Sequence, residues 1–105
     1  MGGNHKLKFE QIIKFLEEDK FIISYHARAR MFQRNISTDQ IKTTILMGKI
    51  IESYNNSDPC PSALILGYIG HNPYHVVVAQ CDDHIRIITV YKPEEDKWIE
   101  DKFRK

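Results

Sequence analysis

No acidic side chain occurs between Phe21 and Thr38, although the 105-residue chain carries 14 Asp and Glu against 15 Lys and Arg, for a net charge of +1. A chain this close to neutral does not coat nucleic acid wholesale, and a segment cleared of acids within it marks a local site for an anion. Cysteine is as scarce. Cys60 and Cys81 have no CxxC spacing and are not read as a disulfide framework, so a reducing cytoplasm is the expected compartment. No apolar run approaches the roughly 20 residues that span a bilayer, and no membrane association is expected. The opening Met1-Gly2-Gly3-Asn4-His5-Lys6 leads straight into a charged amphipathic segment and is not read as a signal peptide. Linkers, internal repeats and low-complexity stretches are lacking too, so one domain over residues 1–105 is expected. Such a length buries roughly two-thirds of the unfolded surface, enough for a core.

From Lys8 to Lys20, Phe9, Ile12, Ile13 and Leu16 recur at helical spacing and define one apolar stripe. Phe21-Ile22-Ile23 reads either as a brief strand or as an extended connector. Ser24 is placed to cap a helix reaching about Arg34, its hydroxyl accepting from an otherwise unpaired N–H. Ser37-Thr38-Asp39-Gln40 fits a capping box, and Ile36 with Ile41 a hydrophobic staple. Gly48 stands where a left-handed helix C-terminus is wanted.

Beyond Gly48 the period becomes strand-like: Ile50 to Tyr54, Ala63 to Ile69, Tyr74 to Cys81 and Ile85 to Lys92, joined by turns. Pro93 stops the run, and Glu94 to Lys105 predicts a short C-terminal helix docking Trp98 and Phe103. The expected class is α+β, with N-terminal helices packed on a four-stranded antiparallel sheet in two layers.

Residues four apart share a helical face, so His26, Arg30 and Arg34 form one row while Ala27 and Met31 form an apolar neighbour facing the core. Arg forks bind phosphate oxygens in bidentate fashion. A solvated face, or pairing with sheet carboxylates such as Glu52, accounts for the row equally well. His75 opens the apolar run Val76-Val77-Val78-Ala79, where an imidazole is either a satisfied core residue or an acid or base. Thr89 and Tyr91 share one strand face, with Arg86 and Lys92 on the other. A three-residue loop, Asp82-Asp83-His84, pairs His75 with Tyr91 on one face; a two-residue turn puts His75 on the opposite face, and no glycine decides between them. His71 and His75 are separated by Asn72-Pro73 and do not form a helical HxxxH pair, while Cys60, Cys81, His5 and His84 are scattered; no metal site and no cofactor is expected.

The segments Ser24-x-His26-Ala27-x-x-Arg30-Met31-x-x-Arg34-x-Ile36-Ser37, Gly48-x-Ile50-Ile51-Glu52-x-Tyr54, Leu66-Gly67, Pro73-x-His75-Val76-Val77 and Ile88-Thr89-Val90-Tyr91-x-Pro93 resemble, in that order, the domain-of-unknown-function family 4258. That family is similar in layout to the RelE-like and MqsR-like toxins, small metal-independent ribonucleases. The resemblance implies a RelE-like toxin of a type II toxin–antitoxin pair, acting on RNA, with a cognate antitoxin protein, possibly of zinc-finger type, as partner. It further implies that His26 and His75 serve as base and acid in either order. Arg30 and Arg34 would hold the phosphate, Thr89 and Tyr91 would bond its oxygens or orient an imidazole, and Arg28, off the row, would be a peripheral RNA contact. The alternative is a noncatalytic module whose Arg row binds an acidic protein or RNA.

Overall fold

The computed structural model describes residues 7–104; residues 1–6 and 105, and with them His5 and the opening segment read above, lie outside the described residues. Helices α1 (Phe9–Glu17), α2 (Tyr25–Gln33) and α3 (Thr38–Leu46) pack on one face of a five-stranded sheet. Its strands are β1 (Phe21–Ile23), β2 (Lys49–Tyr54), β3 (Ser62–Ile69), β4 (Asn72–Gln80) and β5 (Ile85–Tyr91), in the order β1-β5-β4-β3-β2. The expected four-stranded antiparallel sheet is therefore corrected to a mixed one. β1 lies between α1 and α2 along the chain and runs parallel to β5, with Phe21, Ile22 and Ile23 opposite Ile85, Arg86 and Ile87. Three residues are too few to display a period, so β1 takes its strand character from its tertiary partner. The ladder continues past both its ends: Ile85 N donates to Lys20 O at 3.1 Å and Ser24 N to Ile87 O at 2.9 Å.

The helices form for local reasons that the structure bears out. Ser24 caps α2 by accepting from Ala27 N, and Ser37 and Gln40 make the reciprocal capping box of α3. Ile12 and Leu16 of α1, Ala27 and Met31 of α2, and Ile41 and Ile45 of α3 then meet Ile65, Val76, Val78, Ile85, Ile87 and Val90 of the sheet in one core. Each fully buried Ile, Leu or Val contributes about 1.5–3 kcal/mol.

Two β-bulges divide the sheet faces. In β5 the partners change from Val78↔Ile87 to Val77↔Thr89, leaving Ile88 as the extra residue. Ile85 and Ile87 face the helices before it; after it Val90 does, and Thr89 and Tyr91 turn to the opposite face. In β2 the register shifts between Ile50 and Glu52, which sets Glu52 opposite Leu64. His75 pairs with Tyr91 as the three-residue loop requires, but by another route: Gln80 pairs with Ile85 across a longer turn, and the bulge at Ile88 restores the offset.

Three further expectations are corrected. The C-terminal segment is no helix but a hairpin, β6 (Trp98–Ile99) with β7 (Phe103–Arg104). Its turn places Glu100 and Asp101 at φ 53° and 63°, a left-handed conformation that Asp adopts more readily than most residues and Glu does not. Cys60 and Cys81 form a disulfide. The β3–β4 register pairs Ser62 with Ala79, and its continuation sets residue 60 across from residue 81, a proximity that spacing in sequence cannot show. The free thiols that pointed to a reducing compartment are thus absent, and what stands on the membrane question is that no described helix is long and apolar enough to cross a bilayer.

Gly48, expected to be left-handed, is not among the residues at positive φ. It is needed for closeness: a Cβ there would lie 2.7 Å from Leu66 O and 2.8 Å from Thr44 O. Gly67 is tighter still, with a Cβ falling 2.2 Å from Thr44 O. The C-terminal turn of α3 therefore rests directly on β3. Gly67→Ala must push this helix off the sheet and is expected to cost about 1–3 kcal/mol or more, read as a lowered urea midpoint at unchanged m-value.

Candidate active site

The position of α2 follows from one side chain. Ser24 Oγ accepts from Ala27 N at 3.0 Å and donates to Ile88 O at 2.8 Å, so the residue that caps the helix also ties it to the bulge of β5. With Ala27 and Met31 turned into the core, the row of His26, Arg30 and Arg34 lies beside the end of β5. There it lines a cleft of about 610 Å³ together with Thr89, Tyr91, Lys92, Pro93 and Glu94. That size falls within the range of small-ligand sites. His26, Arg30, Arg34, Thr89 and Tyr91 are brought together, whereas Arg28 is exposed on another face of α2 and does not line the cleft. Lys92, placed with Arg86 by strand alternation, lines the cleft instead, because alternation ends with β5 at Tyr91.

The cleft is cationic. Arg30 Nη1 donates to Gln33 Oε1 at 3.3 Å, and no ion pair among the described residues involves His26, Arg28, Arg30 or Arg34. Glu94, the acid on its wall, is paired with Lys97 at 3.3 Å. Glu52, the carboxylate suggested by sequence as a partner for the row, is held by Arg104 through Nε at 2.7 Å and Nη2 at 3.0 Å. Neighbours in the row are about 6 Å apart along the helix axis, and like charges at that spacing repel by less than about 1 kcal/mol in water. A bound phosphate converts that repulsion into attraction.

His75 is elsewhere. It is fully buried on the sheet face opposite the helices, beneath the β6–β7 hairpin, with the Trp98 ring 4.4 Å and the Tyr91 ring 5.2 Å from its own. Tyr91 both lines the cleft and touches His75, so the imidazole lies behind the site rather than on its wall. Its Nε2 is 2.7 Å from Asp101 O. A carbonyl only accepts, so Nε2 carries the hydrogen and Nδ1 is left without a partner among the described residues. Burial holds the His75 pKa below the ordinary imidazole value, the Asp101 carbonyl opposing it only in part. Burial also pushes the Tyr91 phenol up, keeping it protonated.

The cover over His75 by Trp98 and Asp101 went unread in sequence because both belong to the tail taken for a helix. Arg104 spans from Glu52 to the Trp98 ring, 4.7 Å from its centroid, and Tyr54 bonds Glu52. Arg104 holds the Glu52 carboxyl below the usual carboxylate range. The signal available was the single Trp in an otherwise charged segment. Among the described residues no three His, Cys, Asp or Glu side chains come together as metal ligands.

Because the folded state keeps His75 neutral, the unfolded chain binds the extra proton as pH falls below about 6.5, and stability declines there. Glu52 has the opposite kind of shift, a depressed carboxylate, whose contribution is lost only below about pH 4.3. Urea midpoints are expected to fall between pH 7 and pH 5 in the parent protein. His75→Gln should flatten that dependence while leaving the acid limb below pH 4.5 in place.

No curated protein matches this chain, and no solved structure does. Residues 23–92 match the family described as Domain of unknown function (DUF4258). The match is two-thirds of the chain and runs from the end of β1 through β5, taking in the α2 row, Thr89 and Tyr91, and leaving α1 and the β6–β7 hairpin outside it. By this match the chain belongs to the DUF4258 family.

Proposed function

We propose that this protein is a metal-independent endoribonuclease, the toxin of a type II toxin–antitoxin pair. The observation that supports the reading is the cleft in which His26 and Arg30 of α2 and Arg34 at its C-cap meet Thr89 and Tyr91 of β5, with no carboxylate paired to the row among the described residues. RNA carries what such a cleft selects, a phosphodiester beside a 2′-hydroxyl. His26 takes the 2′-OH proton, and the 2′ oxygen bonds phosphorus as the P–O5′ bond breaks. Tyr91, on the same cleft, donates its phenolic proton to the leaving 5′ oxygen, and the proton left on His26 is passed through solvent to Tyr91 before the next turnover. The products are a 2′,3′-cyclic phosphate and a 5′-hydroxyl. Arg30 and Arg34 hold the non-bridging oxygens as charge develops on them, and Thr89 adds a hydrogen bond. His75 acts as a positioning residue, packed against Tyr91 from behind. An acidic antitoxin segment laid over the same row would block the cleft, and a zinc-finger protein is one form such a partner takes.

Purified protein incubated with single-stranded RNA in EDTA is expected to yield 2′,3′-cyclic phosphate ends. His26→Ala should lower the rate by about 10²–10⁴, with Arg30→Ala losing activity chiefly in kcat/KM. Cleavage that survives both substitutions sinks the assigned site. Binding without cleavage would favour the noncatalytic module.

A further inference from the structure

Of the described residues that line the cleft, Glu94 alone is acidic, set against His26, Arg30, Arg34 and Lys92. In a site for phosphate and nothing more, such a group is a loss, since it repels the anion that the cations attract. Its place is nonetheless fixed. Pro93 before it is buried, and the Glu94 carbonyl accepts from Lys97 N at 2.9 Å and Trp98 N at 3.0 Å, Trp98 being itself buried against His75. The backbone of Glu94 is thus pinned on both sides, while its side chain, 64% exposed, is open to a ligand. Lys97 Nζ lies 3.3 Å from its Oε1, but an exposed pair of this kind is weak, and a carboxylate keeps lone pairs on both oxygens for further bonds.

We infer that Glu94 is a specificity-determining residue that selects an unpaired guanine in the RNA whose phosphate lies against the Arg row; the inference rests on the reading of the cleft as a phosphodiester site. At about 610 Å³ the cleft is far larger than a phosphate group requires, so the attached nucleoside shares it, beside Pro93 and Glu94. Guanine is the RNA base whose Watson–Crick edge presents two adjacent donors, N1–H and the exocyclic amine, spaced to meet both oxygens of one carboxylate. Adenine and cytosine each set an unprotonated ring nitrogen beside their amine, and uracil flanks its single N–H with two carbonyls. Each of these turns an acceptor towards the acid, and a site built around a hydrogen-bond pair rejects the base that cannot complete it. In a duplex the same edge of guanine is spent on cytosine, so recognition of this kind takes a single strand. The carboxylate that weakens phosphate binding in general therefore strengthens it for one base.

The test uses the full chain and fluorescent, uncleavable 2′-O-methyl oligouridylates of about eight nucleotides. They are identical except for one central base: guanine, hypoxanthine, which lacks only the exocyclic amine, or adenine. The parent protein is expected to bind the guanine probe at least about tenfold more tightly than the adenine probe, with hypoxanthine between them. Glu94→Gln, which exchanges one acceptor for a donor, should erase that order and leave the adenine probe bound at least as tightly as before. Arg30→Ala should weaken all three probes alike. Equal binding of the three by the parent, with Arg30→Ala still weakened, overturns the guanine reading and leaves the phosphate site standing. A guanine preference that survives Glu94→Gln overturns the assignment to Glu94. Probes indifferent to Arg30→Ala overturn the cleft reading, and the inference falls with it. Guanosine 5′-triphosphate offers the same chemistry as a free nucleotide and is expected to displace the guanine probe only weakly; tighter binding than the probe would overturn RNA as the source of the base. On cleavable RNA, Glu94→Gln should lower kcat/KM at guanine-containing sites only, and an equal fall in kcat on every sequence overturns base recognition in favour of proton transfer. The side chain replaced is exposed, so an unchanged thermal midpoint is expected.

Discussion

Ser24 carries three bonds that set the geometry of the whole molecule. Its main-chain N–H extends the β1–β5 ladder to Ile87 O, its hydroxyl caps α2 through Ala27 N, and the same hydroxyl donates to Ile88 O. A helix cap is worth about 1 kcal/mol in isolation. Here the cap is also the corner at which a parallel edge strand becomes a helix lying alongside the sheet. Because the corner is tied to the bulge residue itself, the row of α2 and the turned-out end of β5 are aligned by one contact. Had β1 been the extended connector that the sequence also permitted, the start of α2 would lack its ladder to β5, and core packing of Ala27 and Met31 alone would hold His26 beside Tyr91.

The second constraint is the bulge at Ile88. Strict alternation from Ile85 would send Thr89 and Tyr91 into the helix-facing core along with Ile87. One extra residue exchanges them for Val90, and a hydroxyl and a phenol are delivered to the other face at the sheet's end. The same offset compensates a turn one residue longer than expected. His75 and Tyr91 are neighbours for that reason, and not because the turn specified them. The bulge in β2 acts in parallel, bringing Glu52 onto the face that the C-terminal hairpin covers, where Arg104 binds it.

The two histidines of the predicted pair consequently occupy unlike environments. His26 is exposed on a cationic helix face, while His75 is sealed under Trp98 with one nitrogen that has no partner among the described residues. An imidazole in that setting is neutral and rigid, suited to bracing a phenol rather than to exchanging protons with solvent. The hairpin that seals it lies beyond residues 23–92, so the α2 row and the β5 end fall within the family match and the cover over His75 falls outside it.

Local chemistry alone determined the three helices, both serine caps, the staple of Ile36 and Ile41, the four longer strands, and the sharing of one helical face by His26, Arg30 and Arg34. These are effects of residues within a few positions of each other, where periodicity and capping act. Tertiary structure decided the rest. A three-residue strand needs a partner to exist. A bulge appears only where two strands must reconcile their offsets, and the meeting of Cys60 with Cys81 follows from the β3–β4 register rather than from spacing. Glu100 and Asp101 adopt left-handed backbone in a turn that carries no glycine to announce it. The site lies on that boundary: its cationic half was legible because a helix repeats locally, and Thr89 and Tyr91 were legible as sharing a strand face, but which face that is and where His75 lies relative to it depend on pairing made far away in the chain.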